Sequence, residues 1–155
     1  RPPPMMDGVP VDYWVYAARP PEEWEKAWAH SEDLIRALAA EVKNDGASFA
    51  LLVVTARDHV YPDSWRQVLD TYPGMSEKQW DLEGPERRVL DLSRREKIAC
   101  LHLSPIFAAH RGDGERLHFV HDGHWTAAGH ALVAKWLAAF LSENDLIQAD
   151  KTEVR

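Results

Sequence analysis

Two short, unbroken apolar runs constrain this chain more than anything else in it. Phe49–Thr55 reads FALLVVT and Ile98–Leu103 reads IACLHL. A strand with one wet face alternates apolar and polar residues. A strand covered on both faces does not, and that covering is typical of a parallel sheet flanked by helices. Each run follows a segment of helical period. Pro20-Pro21-Glu22-Glu23 opens the first, since proline and acids suit a first turn with unpaired amides and a positive dipole end. Trp24, Ala27, Trp28, Ser31, Leu34, Ile35, Leu38 and Val42 recur at helical spacing as its inward face, and Asn44-Asp45-Gly46 closes it. Pro85–Lys97 reads as a second helix with Val89, Leu90, Leu92 and Ser93 inward. Thr126 caps a third, running to about Leu141, with Ala127, Ala131, Ala134, Leu137, Ala138 and Leu141 on one face. Helix, strand, helix, strand, helix is an α/β alternation, so a parallel sheet is expected. Val11–Ala17 (VDYWVYA) adds a possible third strand.

The chain's 155 residues suit one domain. Residues 1–21 hold six of the ten prolines and read as an arm or connector. Residues 22–142 read as the α/β domain, and 143–155 as a polar tail that frays. Between the strands, Ala56–Pro85 is irregular, with a short helix around Ser64–Tyr72. Arg111-Gly112-Asp113-Gly114 is a turn. A net charge of -7 argues against nucleic acid as the main partner. No apolar run approaches the ~20 residues of a membrane span. No secretory signal pattern opens the chain, so the compartment stays open. A single cysteine, Cys100, excludes an internal disulfide framework; it sits in an apolar strand and reads as an inert thiol.

The chemistry concentrates in Leu117–His130, LHFVHDGHWTAAGH, which holds four of the eight histidines. An acid and a histidine two apart, on a loop just before a helix, can point into one cleft. Asp122 can then hold the imidazole of His124 in its working tautomer while His124 acts as a general base. Trp125 packs beside the imidazole, and Gly129 lets the helix approach closely.

Phe119-Val120-His121-Asp122-Gly123-His124-Trp125-Thr126, with Gly129-His130 and an alanine-rich helix after it, resembles the last block of the SGNH (GDSL-type) hydrolase superfamily. FALLVVTARDHVYPDSW is similar to that family's mid-domain strand and loop, and KIACLHLSPIF to the strand before the Asp-His block. The resemblance covers about residues 22–141. It implies a three-layer, flavodoxin-like α/β fold with a parallel sheet. It also implies a Ser-His-Asp site that hydrolyses or transfers an ester acyl group, with His124 and Asp122 as two triad members and no metal or organic cofactor. The Asp-x-His-Trp spacing is similar to polysaccharide O-acetyltransferase and acetylesterase subfamilies, which implies an O-acetylated carbohydrate substrate and an extracytoplasmic setting.

The departure is equally informative. The family's nucleophile lies in a Gly-Asp-Ser block after its first strand, and no Gly-Asp-Ser occurs in these 155 residues. The fold is therefore expected to be incomplete, lacking an N-terminal strand and the nucleophile block. Three arrangements are open: a fragment of a larger enzyme, an assembly in which a second copy or another segment supplies the missing strands, or a rearranged domain in which another residue serves.

Several residues carry competing readings. Arg57, Asp58 and His59 follow the carboxyl end of a strand, where α/β proteins bind ligands. Arg57 and His59, with Trp125 and His121, are candidate substrate contacts, against the alternative of a solvated loop. Ser64, in Pro62-Asp63-Ser64, is read as a helix N-cap rather than a nucleophile. His118 reads as a strand-face histidine and His130 as a packing residue. Trp65, Trp80 and Trp125 are candidates for carbohydrate stacking. A metal site built from His118, His121, Asp122, His124 and His130 is the rival from another class, although its spacing matches no established zinc pattern. A non-catalytic carbohydrate- or partner-binding module is the third.

Overall fold

The structure, a computed structural model, describes residues 2–147. The part of the expected tail from 148 onward lies outside them. The N-terminal arm is folded. Met5–Met6 (β1) and Val9–Pro10 (β2) pair antiparallel, and a 3-10 helix follows at Val11–Tyr16, where a strand was expected. The reason is tertiary: Trp14 turns inward and, with Val9, packs on Val68 and Met75 in one of two core clusters. Trp65 and Trp80 also lie against this cluster, so they are structural aromatics rather than open stacking platforms.

The 23-residue helix α1 (Glu22–Asn44) leads into β3 (Ala50–Val53). A short turn of helix α2 (Arg57–Val60), helix α3 (Pro62–Thr71) and a 3-10 turn at Pro73–Met75 fill the segment expected to be irregular. Helix α4 (Gly84–Glu96) crosses to β4 (Ala99–His102), where α5 (Ser104–His110), not expected from sequence, begins two residues later. Helix α6 (Ala127–Glu143) ends the domain, with the Thr126 hydroxyl accepting from the Gly129 amide as an N-cap.

The two apolar runs pair as expected. β3 and β4 are parallel, Leu51 beside Cys100 and Val53 beside His102. Side chains alternate across β4. Leu101 enters the larger core cluster with Tyr61, Leu103, Phe107, Leu117 and Val133, contributed by the α5 and α6 layer. His102 faces the opposite layer, where Glu86 of α4 meets it. Helices therefore flank both faces of a two-stranded parallel sheet, covering β4 more fully than β3, an α/β arrangement that is short of strands.

Two helical faces differ from the sequence reading. No residue of α1 is buried, and Leu34 and Leu38 are 57% and 50% exposed. A helix needs sheet beneath it to bury its stripe, and among the described residues β3 has no second neighbour. On α6 the core takes Ala128, Leu132, Val133, Leu137 and Phe140, leaving Ala127, Ala131, Ala134 and Ala138 outside. Burying the larger side chains removes more apolar area from water, so the helix is rotated from the alanine face. Leu52 and Val54 also stand open.

Gly129 makes the close approach foreseen for it. A Cβ there would lie 2.2 Å from the Leu117 carbonyl oxygen and 3.1 Å from Trp125 Cβ. Backbone cannot yield as a flexible side chain does, so Gly129→Ala should destabilise by about 1–3 kcal/mol. Urea unfolding monitored by tryptophan fluorescence checks this; an unchanged midpoint would show that α6 shifts freely.

Candidate active site

The loop before α6 is built as a tight hairpin. His118 and Trp125 form an isolated antiparallel bridge, and the Phe119 amide donates to the His124 carbonyl at 2.8 Å. Gly123 takes φ +73°, a left-handed conformation that suits glycine. The turn brings Asp122 and His124 together. The His124 amide donates to Asp122 Oδ1 at 3.0 Å, and His124 Nδ1 lies 3.5 Å from the same oxygen. Both side chains are exposed, His124 at 82%. The carboxylate is thus placed on the Nδ1 side of the imidazole, and the other edge of the ring is free to meet a reacting group.

Arg57 holds this loop from the neighbouring α2 turn. Its guanidinium donates from Nη1 to the Val120 carbonyl and from Nε and Nη2 to Asp58 Oδ1, at 2.9 and 2.8 Å. His59, two residues on, turns elsewhere. Its Nδ1 lies 3.0 Å from Glu86 Oε1, His102 Nε2 lies 2.8 Å from Glu86 Oε2, and the Ser104 hydroxyl donates to Glu86 Oε1. Glu86 is buried, and the four residues line a cavity of about 290 Å³ with Val60, Pro105 and Ala108 at the strands' carboxyl ends.

The comparisons with known proteins bear on the family of the whole chain. A family model described as an SGNH hydrolase-like domain, acetyltransferase AlgX, matches residues 11–155. The chain belongs to this SGNH hydrolase-like family. No curated protein and no solved structure matches it.

Within that family frame, the expected site residues separate into groups. Asp122, His124 and Arg57 meet at one loop. His121 is exposed on the same loop. Trp125 turns inward, its ring 5.7 Å from Phe107 and 5.4 Å from His130, so it supports the loop from below. His118 is fully buried, its Nε2 3.2 Å from the Thr55 carbonyl, and burial pushes its pKa down. These histidines point apart, and among the described residues no three His, Cys, Asp or Glu side chains are grouped to hold a metal ion. Ser64 is the third residue of α3, not its cap; Tyr61 holds that position because Pro62 starts the helix, and Arg116 donates to the Ser64 hydroxyl at 3.4 Å. Burial raises the Cys100 thiol pKa.

Glu86, His102 and Ser104 were not legible as a site. Glu86 reads as an ordinary first-turn acid. The available signal was His102 inside an apolar run, because a histidine in a covered strand needs a partner. Burial pushes the Glu86 carboxyl pKa up, but hydrogen bonds from His59, Ser104 and His102 outweigh it, and the net shift is down. The hydrogen bond to Glu86 raises the His59 pKa against the opposing effect of burial.

The signs define a pH window. Stabilisation through Glu86 is complete above its ordinary pKa of 4.5 and is lost as pH falls through the lower folded value. Stabilisation through His59 is complete below 6.5 and is lost as pH rises through the higher folded value. Both act together between 4.5 and 6.5. Thermal unfolding across pH 3–9 should show this cluster's contribution greatest there. Glu86→Gln should lower Tm by several degrees and flatten the profile; a variant profile parallel to that of the wild type would refute the assignment.

Proposed function

We propose that this chain supplies the histidine and aspartate of a serine-type acyl-transfer site that moves or hydrolyses an ester acyl group, acetyl on a carbohydrate. The observation that carries the reading is the Asp122–His124 pair, joined on one loop at the head of α6 with the far edge of the imidazole open. Family membership supports acyl chemistry, and the Asp-x-His-Trp spacing supports the acetyl and carbohydrate preference.

In the complete site a serine attacks the ester carbonyl. His124 takes the hydroxyl proton at Nε2 and returns it to the leaving alcohol. Asp122 orients the ring through Nδ1 and stabilises the imidazolium that forms. Donors at the oxyanion contribute about 3–4 kcal/mol each. The serine comes from a Gly-Asp-Ser segment, which these 155 residues do not contain. The same segment brings a strand to the edge of β3, where Leu52 and Val54 stand open. A second copy of the chain covering the open edge of β3 is the alternative arrangement. A non-catalytic carbohydrate-binding module is the second functional reading, and the exposure of His121, Asp122 and His124 suits it.

Fluorophosphonate labelling with peptide mapping tests the reading. The chain alone should take no adduct. Combined with a Gly-Asp-Ser-bearing segment, it should label and turn over p-nitrophenyl acetate, with His124→Ala costing at least about 10⁴-fold in kcat. An adduct on a serine of this chain, lost in His124→Ala, would replace the split site with a rearranged complete hydrolase. Retention of an O-acetylated oligosaccharide by the assembled protein without turnover would favour the binding module.

A further inference from the structure

The loop that carries Asp122 and His124 has little of its own to hold it. Its tip, 120–123, projects from the hairpin, and Phe119 and Val120 are 51% and 46% exposed. The hydrogen bonds inside it join Phe119 to His124 and His124 to Asp122. Below the tip, His118 and Trp125 belong to the packed layer. Such a loop pays the ordering entropy of its tip with few contacts, so it needs an external anchor to keep an imidazole aimed.

Arg57 meets the tip at one point, where its guanidinium donates to the Val120 carbonyl. Among the described residues, this is the one hydrogen bond that ties 120–123 to another element. The Arg57 side chain is only 17% exposed, and Asp58, 15% exposed, receives two of its donors. The guanidinium plane is therefore fixed at one edge by a carboxylate, leaving Nη1 aimed at the loop. Arginine is suited to this because its donors are rigidly coplanar, whereas a lysine ammonium is a single flexible point. The α2 turn that carries Arg57 is itself held by His59 on Glu86.

We propose that Arg57 is a positioning residue for the catalytic loop, a clamp that holds the Val120 carbonyl so that Asp122 and His124 stay in register, and not a substrate contact. The proposal rests on the Asp122–His124 reading for its functional meaning and on the contacts above for its structural one. Asp58 is the partner that keeps the clamp closed.

Peptide-level hydrogen exchange on the whole chain, compared among wild type, Arg57→Ala, Arg57→Lys and Asp58→Asn, reads the clamp directly. Arg57→Ala should exchange at least tenfold faster over residues 118–125, with the β3 and β4 peptides unchanged. Arg57→Lys, which keeps a charge and one donor but loses the coplanar fork that Asp58 fixes, should recover only a small part of the protection. Asp58→Asn should fall between. Equal exchange at 118–125 in Arg57→Ala and wild type would overturn the proposal, as would uniform acceleration across β3, β4 and the loop, which marks a general stability residue. Turnover of p-nitrophenyl acetate by the assembled site adds the chemical readout. In Arg57→Ala a lost clamp lowers kcat at least tenfold with KM held within twofold, and Arg57→Lys restores little of it; a raised KM at unchanged kcat would make Arg57 a substrate contact. A wild type with no turnover counts against the catalytic reading of the loop, while the exchange pattern still decides the role of Arg57.

Discussion

A buried carboxylate cannot stand alone. Moving Glu86 out of water costs several kcal/mol unless its oxygens are satisfied. Three donors from three other elements satisfy them: His59 of α2, His102 of β4 and Ser104 of α5. The carboxylate on α4 therefore fixes where α2 and α5 leave the strands' carboxyl ends. The α2 turn in turn sets Arg57 against the Val120 carbonyl. A chain of contacts thus runs from one covered acid to the exposed loop with Asp122 and His124, through α2 and with no ligand between.

The same geometry explains the division of labour around the sheet. The α5 and α6 face has a continuous apolar core through Leu101, Leu103, Phe107 and Val133. The α4 face mixes packing with the Glu86 cluster. Among the described residues no further strand lies beside β3, and α1 leaves its apolar stripe to water. The expectation of an α/β domain short of strands agrees with the two-stranded parallel sheet and with membership of the SGNH hydrolase-like family.

Much of this was legible in the residues. The parallel pair could be read from FALLVVT and IACLHL because a strand covered on both faces loses its polar alternation. The cap at Thr126 and the close approach at Gly129 follow from local chemistry, a hydroxyl at a helix start and a missing Cβ. The Asp122-Gly123-His124 pairing was legible because residues two apart across a glycine turn meet whatever surrounds them. The strand expected at Val11–Ala17 was not formed, since β-propensity of aromatics reflects packing, and here Trp14 packs into a distant cluster.

Sequence alone determined the two apolar strands, the long helices α1, α4 and α6, the local turn that joins Asp122 to His124, and the absence of a Gly-Asp-Ser block among these residues. Each depends on neighbours within a few positions. Tertiary structure alone decided that His59 leaves the loop for Glu86, that Arg57 turns to Val120, and that α6 buries Val133 and Phe140 instead of its alanines. Those choices join residues that are 27 and 63 positions apart or compare whole faces of a helix. They are settled by which donors reach a buried acceptor and which side chains remove most apolar area from water.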